Sequence, residues 1–323
     1  MRRFLIGGDI VPPTQDTPLN STPFSTLNLH ADLLRNLADL GFTQMTPIQA
    51  QSLPDILAGR DVIAQGKTGS GKTAAFGLGL LQKLEVGRLE VQSLVLCPTR
   101  ELADQVSNEI RRLARTIPNI KVLTLCGGMP FGLQVDSLEY GAHIIVGTPG
   151  RIEDHLNRGT LKLDRVNTLV LDEADRMLEM GFQASIDNII AQISKWRQTL
   201  LFSATFPEQI KAISARIMLK PLMVKVESHH DAESITQHFY EVADKTASLE
   251  ALRLLLLEYQ PESSVVFCNT KRETVEVAEA LTGYGFGALV LNGDLKQRDR
   301  DQTMVRFAKK SSSILVATDV AAR

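Results

Sequence analysis

Residues 64–73, A-Q-G-K-T-G-S-G-K-T, fit the phosphate-loop pattern G-x-x-x-x-G-K-[ST], with Gly66, Gly71, Lys72 and Thr73 at its fixed positions. A triphosphate needs a concave cradle of backbone N–H donors, which a glycine-rich main chain can form. Lys72 adds a positive charge, and Thr73 offers a hydroxyl to Mg²⁺ at the start of a helix whose dipole favours anions. The pattern therefore predicts a nucleoside triphosphate site, and the same loop contributes Lys67, Thr68, Gly69 and Ser70.

Short apolar runs alternate with helical patterns along the chain. The loop itself stands between a buried-strand run at 61–64 and a helix start at 73–78. Such alternation predicts an α/β fold, with a parallel sheet whose ligands bind beyond the carboxyl ends of the strands. Further strands are predicted at 93–97, 121–125, 143–146, 168–171 and 199–202, and again at 237–242, 264–268, 288–291 and 314–317.

Size and composition limit the class of protein. With 323 residues, 44% of them apolar and 22% charged, the chain suits two soluble globular domains. A net charge of −2 gives no basic excess, so a nucleic-acid partner would have to be held by local patches. Cys97, Cys126 and Cys268 form no C-x-x-C pair, which disfavours a zinc site or a disulfide framework and favours a reducing cytosol.

The sequence gives no sign of a membrane segment. No apolar run reaches the roughly 18 residues that a membrane helix requires, and the apolar part of the amino-terminal stretch is too short for a signal peptide. We therefore expect a soluble, cytoplasmic protein with no membrane partner. Residues 1–23 lack periodicity and are expected to form a flexible leader.

Phe42 and Gln49 precede the phosphate loop in the run G-F-x-x-x-T-P-I-Q at 41–49, with Phe24 further upstream. This run resembles the Q motif of DEAD-box RNA helicases. The resemblance implies that ATP is the nucleotide, with Gln49 reading the adenine edge and Phe42 stacking on its ring. An amide can donate and accept at once, as an adenine edge requires.

Three further motifs come directly after predicted strands and resemble the motifs with which the family holds the sugar-phosphate backbone of RNA. Arginines, small hydroxyls and N–H groups at helix starts are the donors that proteins use on phosphate, and they carry no sequence information. The residues so implied are Pro98, Thr99 and Arg100, then Gly128, and then Thr148, Pro149, Gly150 and Arg151.

The tetrapeptide Asp172-Glu173-Ala174-Asp175 follows the strand at 168–171 and matches the motif that names the family. The resemblance implies that Asp172 and Thr73 hold Mg²⁺, partly through water, and that Glu173 activates the attacking water. Lys72, Asp172 and Glu173 are thus the expected catalytic residues. Ser203 and Thr205 belong to a run similar to the family motif that couples nucleotide state to lobe closure, and we expect them to bind Asp175.

The second set of strands resembles the second lobe of the family, in which Thr270 and Thr318 would donate to RNA phosphates. The implied fold is two RecA-like (P-loop NTPase) α/β lobes with parallel sheets. The expected organisation is a leader at 1–23, lobe 1 at 24–226, a linker at 227–234 and lobe 2 at 235–323.

The family pattern would continue past Arg323 with motifs that include arginines for the γ-phosphate. The second lobe is therefore expected to be incomplete, with apolar surface left exposed beside its last strand and with slow ATP hydrolysis. Runs at 94–106, 123–128 and 299–303 resemble the bacterial DbpA branch in particular, whose members carry a further RNA-binding tail.

Taken together, the resemblance implies an ATP-dependent RNA helicase that acts as a monomer and locally separates RNA duplexes, with ribosomal RNA and ribosome assembly as a candidate setting. One alternative is a nucleotide-dependent RNA clamp without turnover. Another is an unrelated phosphate-loop enzyme such as a nucleotide kinase, which should lack the second set of strands. The lone tryptophan, Trp196, stands between a helix and a strand and is expected to pack locally rather than stack on a base.

Overall fold

The computed structural model describes residues 22–226, 236 and 238–318. The chain divides into two compact units, Met1–His229 and His230–Arg323, each built round its own sheet. The predicted leader at 1–23 lies outside the described residues except at its end, and the predicted linker at 227–234 lies wholly outside them.

In the first unit each strand but the last is followed by at least one helix, as crossover connections between parallel strands require. A 3₁₀ turn at Phe24–Thr26 precedes the helices. These are α1 (Ala31–Asp39), α2 (Pro47–Leu57), α3 (Lys72–Lys83), α4 (Arg100–Leu113), α5 (Phe131–Glu139), α6 (Pro149–Asn157), α7 (Ala174–Glu179), α8 (Gln183–Ala191) and α9 (Glu208–Ile217). The strands are β1 (Val62–Gln65), β2 (Ser93–Leu96), β3 (Val122–Leu125), β4 (Ile144–Gly147), β5 (Thr168–Leu171), β6 (Gln198–Ser203) and β7 (Leu222–Lys225).

The seven strands form one parallel sheet in the order β3-β4-β2-β5-β6-β1-β7. Strands β2, β4, β5 and β6 are buried along their whole length, because helices cover both faces of the sheet. One core contains Phe76 and Phe202, whose ring centroids lie 5.2 Å apart. The core on the other face contains Met177 and Ile186.

The strand order sorts the predicted functional residues into two halves of one edge. The three neighbouring strands β3, β4 and β2 lead into the segments predicted to hold RNA. Strands β5, β6 and β1 lead into the acidic motif, the Ser203–Thr205 run and the phosphate loop. Because all seven strands are parallel, both halves lie at the same carboxyl edge.

The second unit has three helices and three strands among its described residues. They are α10 (Lys245–Tyr259), β8 (Ser264–Cys268), α11 (Lys271–Gly283), β9 (Ala288–Leu291), α12 (Gln297–Ala308) and β10 (Ile314–Thr318). The sheet is parallel with the order β8-β10-β9. Within the described ranges, no helix of either unit combines the length and apolarity needed to cross a bilayer.

Two expectations for the second unit were wrong. Residues 238–242 form no strand: the described sheet offers them no neighbour, and Phe239 is 91% exposed. Strand β10, expected to lack flanking strands, is instead the central strand of this sheet and is buried throughout. The exposed apolar surface expected beside β10 is present on its neighbour β8, where Val265 and Phe267 are exposed.

Candidate functional site

The phosphate loop joins β1 to α3, as its flanking residues predict. Gly71 is the N-cap of α3 and has a left-handed backbone, with φ of 92°. A Cβ at this position would lie 2.5 Å from Nε2 of Gln49, so both the dihedral and the space demand glycine. The loop is therefore built against α2, which carries Gln49.

Gln49 ties the amino-terminal motif to the phosphate loop. Its Oε1 accepts from the backbone N–H of Thr46 at 2.9 Å, completing a capping box at the start of α2. Its Nε2 donates to the carbonyl of Gly71 at 3.0 Å, and the Thr46 hydroxyl donates to the Ser70 carbonyl at 2.8 Å. The buried Gln49 amide thus already has one donor and one acceptor engaged, and one further N–H and lone pair remain for a ligand.

Lys72 and Asp172 are both buried at the centre of the site. Lys72 Nζ donates to the carbonyl of Gly66 at 2.9 Å, so its charge is held over the loop. Burial raises the pKa of Asp172 to about 6, and the positive charge of Lys72 opposes that rise. A cation placed beside such a poorly solvated carboxyl group would stabilise its charged form.

Glu173 has a strained backbone, with φ of 50°, at the turn between β5 and α7. Its Oε1 accepts from the Thr68 hydroxyl at 3.4 Å, which brings the acidic motif to the phosphate loop. Its Oε2 lies 3.3 Å from Nη1 of Arg176. The sequence pattern singled out Glu173 but not Arg176. The only sequence feature that links the two is their spacing of three residues, which places them one helical turn apart.

A cavity of about 330 Å³ lies between the loop, α2, α4 and the end of β5. It brings together nine of the residues predicted for ATP and catalysis, whereas Gly66, Lys67 and Ser70 do not line it. Its wall also includes Gln44, Leu102, Gln105 and Glu109, for which no role at this site was predicted. The nine are Phe42, Gln49, Thr68, Gly69, Gly71, Lys72, Thr73, Asp172 and Glu173.

The donor set fits a hard divalent cation. Thr73 and Asp172 line the same cavity and supply a hydroxyl and a carboxylate oxygen, which are ligands that Mg²⁺ accepts alongside water and phosphate. No cluster of three or more His, Cys, Asp or Glu side chains suited to a metal occurs within the described ranges. The two protein oxygens of Thr73 and Asp172 would leave most of the coordination sphere of such an ion to water and phosphate.

Arg100 and Gly128 come from different strand ends and pack together. Arg100 begins α4, which Thr99 caps by accepting from the Leu102 N–H at 3.3 Å. Gly128 has φ of 77°, and a Cβ built on it would overlap the Arg100 guanidinium. Nε of Arg100 is buried with no hydrogen-bond partner in the described structure, although a buried donor normally has one. The Arg100 Nε–H group beside the Gly128 turn is therefore able to donate a hydrogen bond to a ligand.

Thr148, Pro149, Gly150 and Arg151 follow β4, and α6 begins at Pro149. Nη2 of Arg151 donates to the carbonyl of Met129 at 3.1 Å, so this motif reaches the turn that contains Gly128. The structure thus places the segments after β2, β3 and β4 around one turn, Gly127–Met129.

A buried side-chain network beneath that turn was not predicted. His155 on α6 is fully buried, and its Nε2 lies 3.1 Å from Oε1 of Gln134 on α5. Nε2 of Gln134 donates to the carbonyl of Cys126 at 2.9 Å, directly before Gly127. Since the Gln134 oxygen faces His155, His155 Nε2 carries the hydrogen and Nδ1 accepts from the Thr160 hydroxyl at 2.8 Å. The network fixes α5 and α6 to each other below the predicted RNA contacts.

Asp175 joins the end of β5 to the segment after β6. One of its oxygens, Oδ2, accepts from both the N–H and the hydroxyl of Thr205, at 2.9 and 2.7 Å. The Ser203 hydroxyl lies 3.3 Å from the Asp175 N–H, which donates to it. Burial alone would raise the pKa of Asp175, but the hydrogen bonds from Thr205 and Ser203 outweigh it and hold the pKa below its ordinary value.

In the second unit, Thr270 and Thr318 lie at the carboxyl ends of neighbouring strands. Thr270 is the N-cap of α11 and accepts from the Glu273 N–H at 3.1 Å. Thr318 ends β10 and pairs in register with Cys268, two residues before Thr270. These two hydroxyls therefore occupy equivalent places at one edge of the second sheet.

Comparison with known families agrees with this arrangement. The DEAD/DEAH box helicase family matches residues 46–213, and the helicase conserved C-terminal domain matches residues 245–323. The chain is 59% identical to the ATP-dependent RNA helicase DbpA of Escherichia coli and 45% identical to the DEAD-box ATP-dependent RNA helicase CshA of Geobacillus kaustophilus, in both cases over 94% of its length. It spans 66% and 64% of those two relatives.

Solved structures show the same fold. A DEAD box protein from Methanococcus jannaschii is 38% identical, with a TM-score of 0.61 over 93% of this chain and 81% of that one. Dbp5 of Saccharomyces cerevisiae bound to RNA and ADP BeF3 is 28% identical, with a TM-score of 0.82 over 93% of this chain and 77% of that one. The predicted pair of RecA-like lobes with parallel sheets is thereby confirmed. The chain belongs to the DEAD/DEAH box helicase family.

Proposed function

We propose that the chain is the two-lobed engine of an ATP-dependent RNA helicase, which hydrolyses ATP in response to RNA and locally separates or remodels RNA duplexes. The observation that supports this most is the division of one sheet edge, where α4 after β2 lines the nucleotide cavity and also begins with Arg100, which packs on the turn after β3. One sheet would then carry both the phosphate contacts and the RNA contacts, so that a change at the phosphates could alter RNA binding.

For the nucleotide, Phe42 and Gln49 would receive the adenine and the loop from Gly66 to Thr73 the phosphates. Asp172 and Thr73 would hold Mg²⁺, whose chemistry is to neutralise charge on the transferred phosphate. Glu173 would orient and deprotonate the attacking water, since its carboxylate lines the cavity beside Thr68. Lys72 would supply the fixed charge against the phosphates.

For RNA, the donors of Thr99, Arg100, Thr148 and Arg151 would contact phosphate and sugar, together with backbone N–H groups near Pro98, Gly128, Pro149 and Gly150. Thr270 and Thr318 would do the same from the second unit. None of these groups reads a base edge in this role, so binding would be nearly independent of sequence. Such contacts suit local strand separation better than recognition of one target.

The wider setting follows from the family and the relatives. We infer a cytoplasmic, monomeric enzyme with lobe boundaries near 24–226 and 235–323. Ribosomal RNA is a candidate substrate and ribosome biogenesis a candidate process. Asp175, Ser203 and Thr205 would couple nucleotide state to lobe closure, because they join the end of β5 to the segment after β6.

ATP hydrolysis measured with and without RNA tests the proposal. A helicase engine gives RNA-stimulated hydrolysis and duplex separation. ATP that binds with RNA but is not hydrolysed would favour the clamp, and hydrolysis indifferent to RNA would contradict both.

The RNA path is tested separately by a salt series. Each phosphate contact that is removed should reduce the slope of log affinity against log salt by about 0.7 for single strands. We expect Arg100→Ala and Arg151→Ala each to do so, whereas Arg165→Ala, which removes an arginine paired with Asp164 before β5, should not. An unchanged slope in the double variant would place the RNA elsewhere.

A further inference from the structure

Trp196 does not pack locally, contrary to the expectation from its place between a helix and a strand. Its side chain is 93% exposed, and Leu219 nearby is 79% exposed. Both line a groove of about 990 Å³. Large apolar side chains that share an exposed concave surface are typical of sites where another molecule docks.

The groove lies at the edge of the sheet opposite to the nucleotide cavity. It is formed where α8 and α9 end and β6 begins, and Asp61 and Asn167 bring the amino ends of β1 and β5 to it. Its floor is aliphatic, made of Ile190, Ile193, Ile217 and Met218. An occupant there would not compete with ATP or with RNA at the carboxyl edge.

The charge of the groove is positive although the whole chain has a net charge of −2. Four cations line it, namely Lys83, Lys195, Arg197 and Arg216, and Asp61 is the single carboxylate among the lining residues. That carboxylate is already engaged, since its oxygens accept from the N–H groups of Thr199 at 2.8 Å and Leu219 at 2.6 Å.

The cations differ in how far they are compensated. Arg216 is paired with Asp187 at 2.7 Å, whereas Arg197 donates to neutral oxygens of Ser194, Thr199 and Ile217. Burial lowers the pKa of Arg197 and that of Lys83, and Asp61 opposes both shifts. A carboxylate brought into the groove would therefore relieve an unfavourable charge environment.

We propose that this groove is a docking site for an acidic segment of another protein, which inserts apolar side chains between Trp196 and the aliphatic floor and sets carboxylates against Lys195 and Arg197. The aliphatic floor favours a peptide over RNA, because nucleic acid gains from stacking and phosphate contacts but has no aliphatic anchor to bury. This inference does not depend on the proposed helicase activity.

Selection and spectroscopy test the proposal together. Phage-displayed random peptides of about 16 residues, long enough to cross such a groove, are selected on the full chain and, in parallel, on Trp196→Ala. We expect the wild type to enrich sequences that combine Asp or Glu with Leu, Phe or Trp, and the variant not to. Tyr140→Ala removes an exposed aromatic residue outside the groove and should select like the wild type.

The best peptide lacking tryptophan is then titrated. Trp196 is the only tryptophan of the chain, so its emission reports directly on the groove. We expect a saturable blue shift, a loss of affinity of at least about tenfold for Lys195→Glu, and unchanged ATP binding. Four outcomes would overturn the proposal: no enrichment, enrichment that survives Trp196→Ala, a blue shift given by single-stranded RNA in place of the peptide, or one that depends on protein concentration alone, which would indicate a second copy.

Discussion

Thr205 donates twice to the same oxygen of Asp175, through its N–H at 2.9 Å and its hydroxyl at 2.7 Å. Thr205→Val keeps the shape and the N–H but removes the hydroxyl. A hydrogen bond to a charged group is worth about 1.5–3 kcal/mol, and the lower end applies because Thr205 is exposed. We expect chemical denaturation at neutral pH to show such a loss, with duplex separation impaired more than ATP binding.

The pH dependence of that loss has a definite sign. The pKa of Asp175 is held below its ordinary value of 3.8, so its interactions stabilise the fold above that pH and are lost as pH falls further. The difference between Thr205→Val and the wild type should therefore shrink in acid. Thr205→Ser retains the hydroxyl and serves as the control; equal impairment in Ser and Val would argue that loss of the hydroxyl is not the cause.

Lys72 and Glu173 line the same cavity but should fail in different ways. Lys72→Ala removes the buried charge held over the loop, so nucleotide affinity should be lost. Glu173→Gln keeps the size of the side chain, so ATP should still bind while hydrolysis falls by orders of magnitude, about 10² or more. Titration with a fluorescent ATP analogue, followed by single-turnover hydrolysis, separates the two. Equal loss of affinity in both variants would refute this division of roles.

Strand positions were predictable where a continuous apolar run is bounded by turn residues. Strands β5, β8 and β9 lie where they were predicted, at Thr168–Leu171, Ser264–Cys268 and Ala288–Leu291. Their side chains are covered by helices on at least one face, so local pattern and tertiary burial agree. At 238–242 the run is interrupted by His238 and Glu241, the described sheet offers no pairing partner, and a strand needs a neighbour for its backbone groups.

Asp172 should make stability depend on pH in the opposite sense to Asp175. Its pKa is raised from 3.8 to about 6, so the folded state binds the extra proton and loses stability as pH rises from about 4 to 6. At one pKa unit per 1.36 kcal/mol, this amounts to about 3 kcal/mol. Asp172→Asn carries no titrating group at this position, so its free energy of unfolding should rise relative to that of the wild type over this pH range. Metal-free urea denaturation at several pH values measures the difference, and a constant difference would contradict the prediction.

Gln49 supports the phosphate loop through its hydrogen bond to Gly71, in addition to its proposed contact with adenine. Gln49→Glu keeps the acceptor for the Thr46 N–H but replaces the donor to the Gly71 carbonyl with a second oxygen. We therefore expect weaker binding of both ATP and GTP, together with a smaller preference for ATP. Affinities for the two nucleotides, measured on the wild type and the variant, give both quantities. Unchanged discrimination would remove Gln49 from base recognition and leave it as a support of the loop.

The contacts that brace the site were not predictable from sequence. Gln49 and Asp175 stand in recognisable motifs, so the resemblance pointed to them. Arg176 and Gln134 are ordinary helix residues by pattern, and their contacts depend on which helices the fold brings together. Nor does the sequence show that His155 is buried on α6. Helix packing, not local spacing, decides such pairs.

Substitution of His155 tests whether the buried network under the turn Gly127–Met129 supports the predicted RNA contacts. Burial lowers its pKa, and nearby Arg151 acts in the same direction, so the neutral form links Gln134 to Thr160. His155→Leu leaves the Gln134 oxygen without its donor, which costs about 1–3 kcal/mol. Because Gln134 also holds the carbonyl before Gly127, RNA affinity should fall while ATP affinity is kept.

His143 offers a matched control for that variant. It is equally buried and bonds Lys121 N–H and the Val86 carbonyl, both at 3.0 Å, but it precedes β4 and so lies at the opposite edge of the sheet. His143→Leu should destabilise the unit comparably and leave RNA affinity unchanged. In the wild type, the stability due to neutral His155 is present above about pH 6.5 and lost as pH falls below it, because the unfolded state binds the proton more readily. Fluorescence anisotropy with labelled RNA, beside urea denaturation at pH 5.5 and 7.5, measures both effects. Equal loss of RNA affinity in the two histidine variants would show that the His155 network contributes only stability.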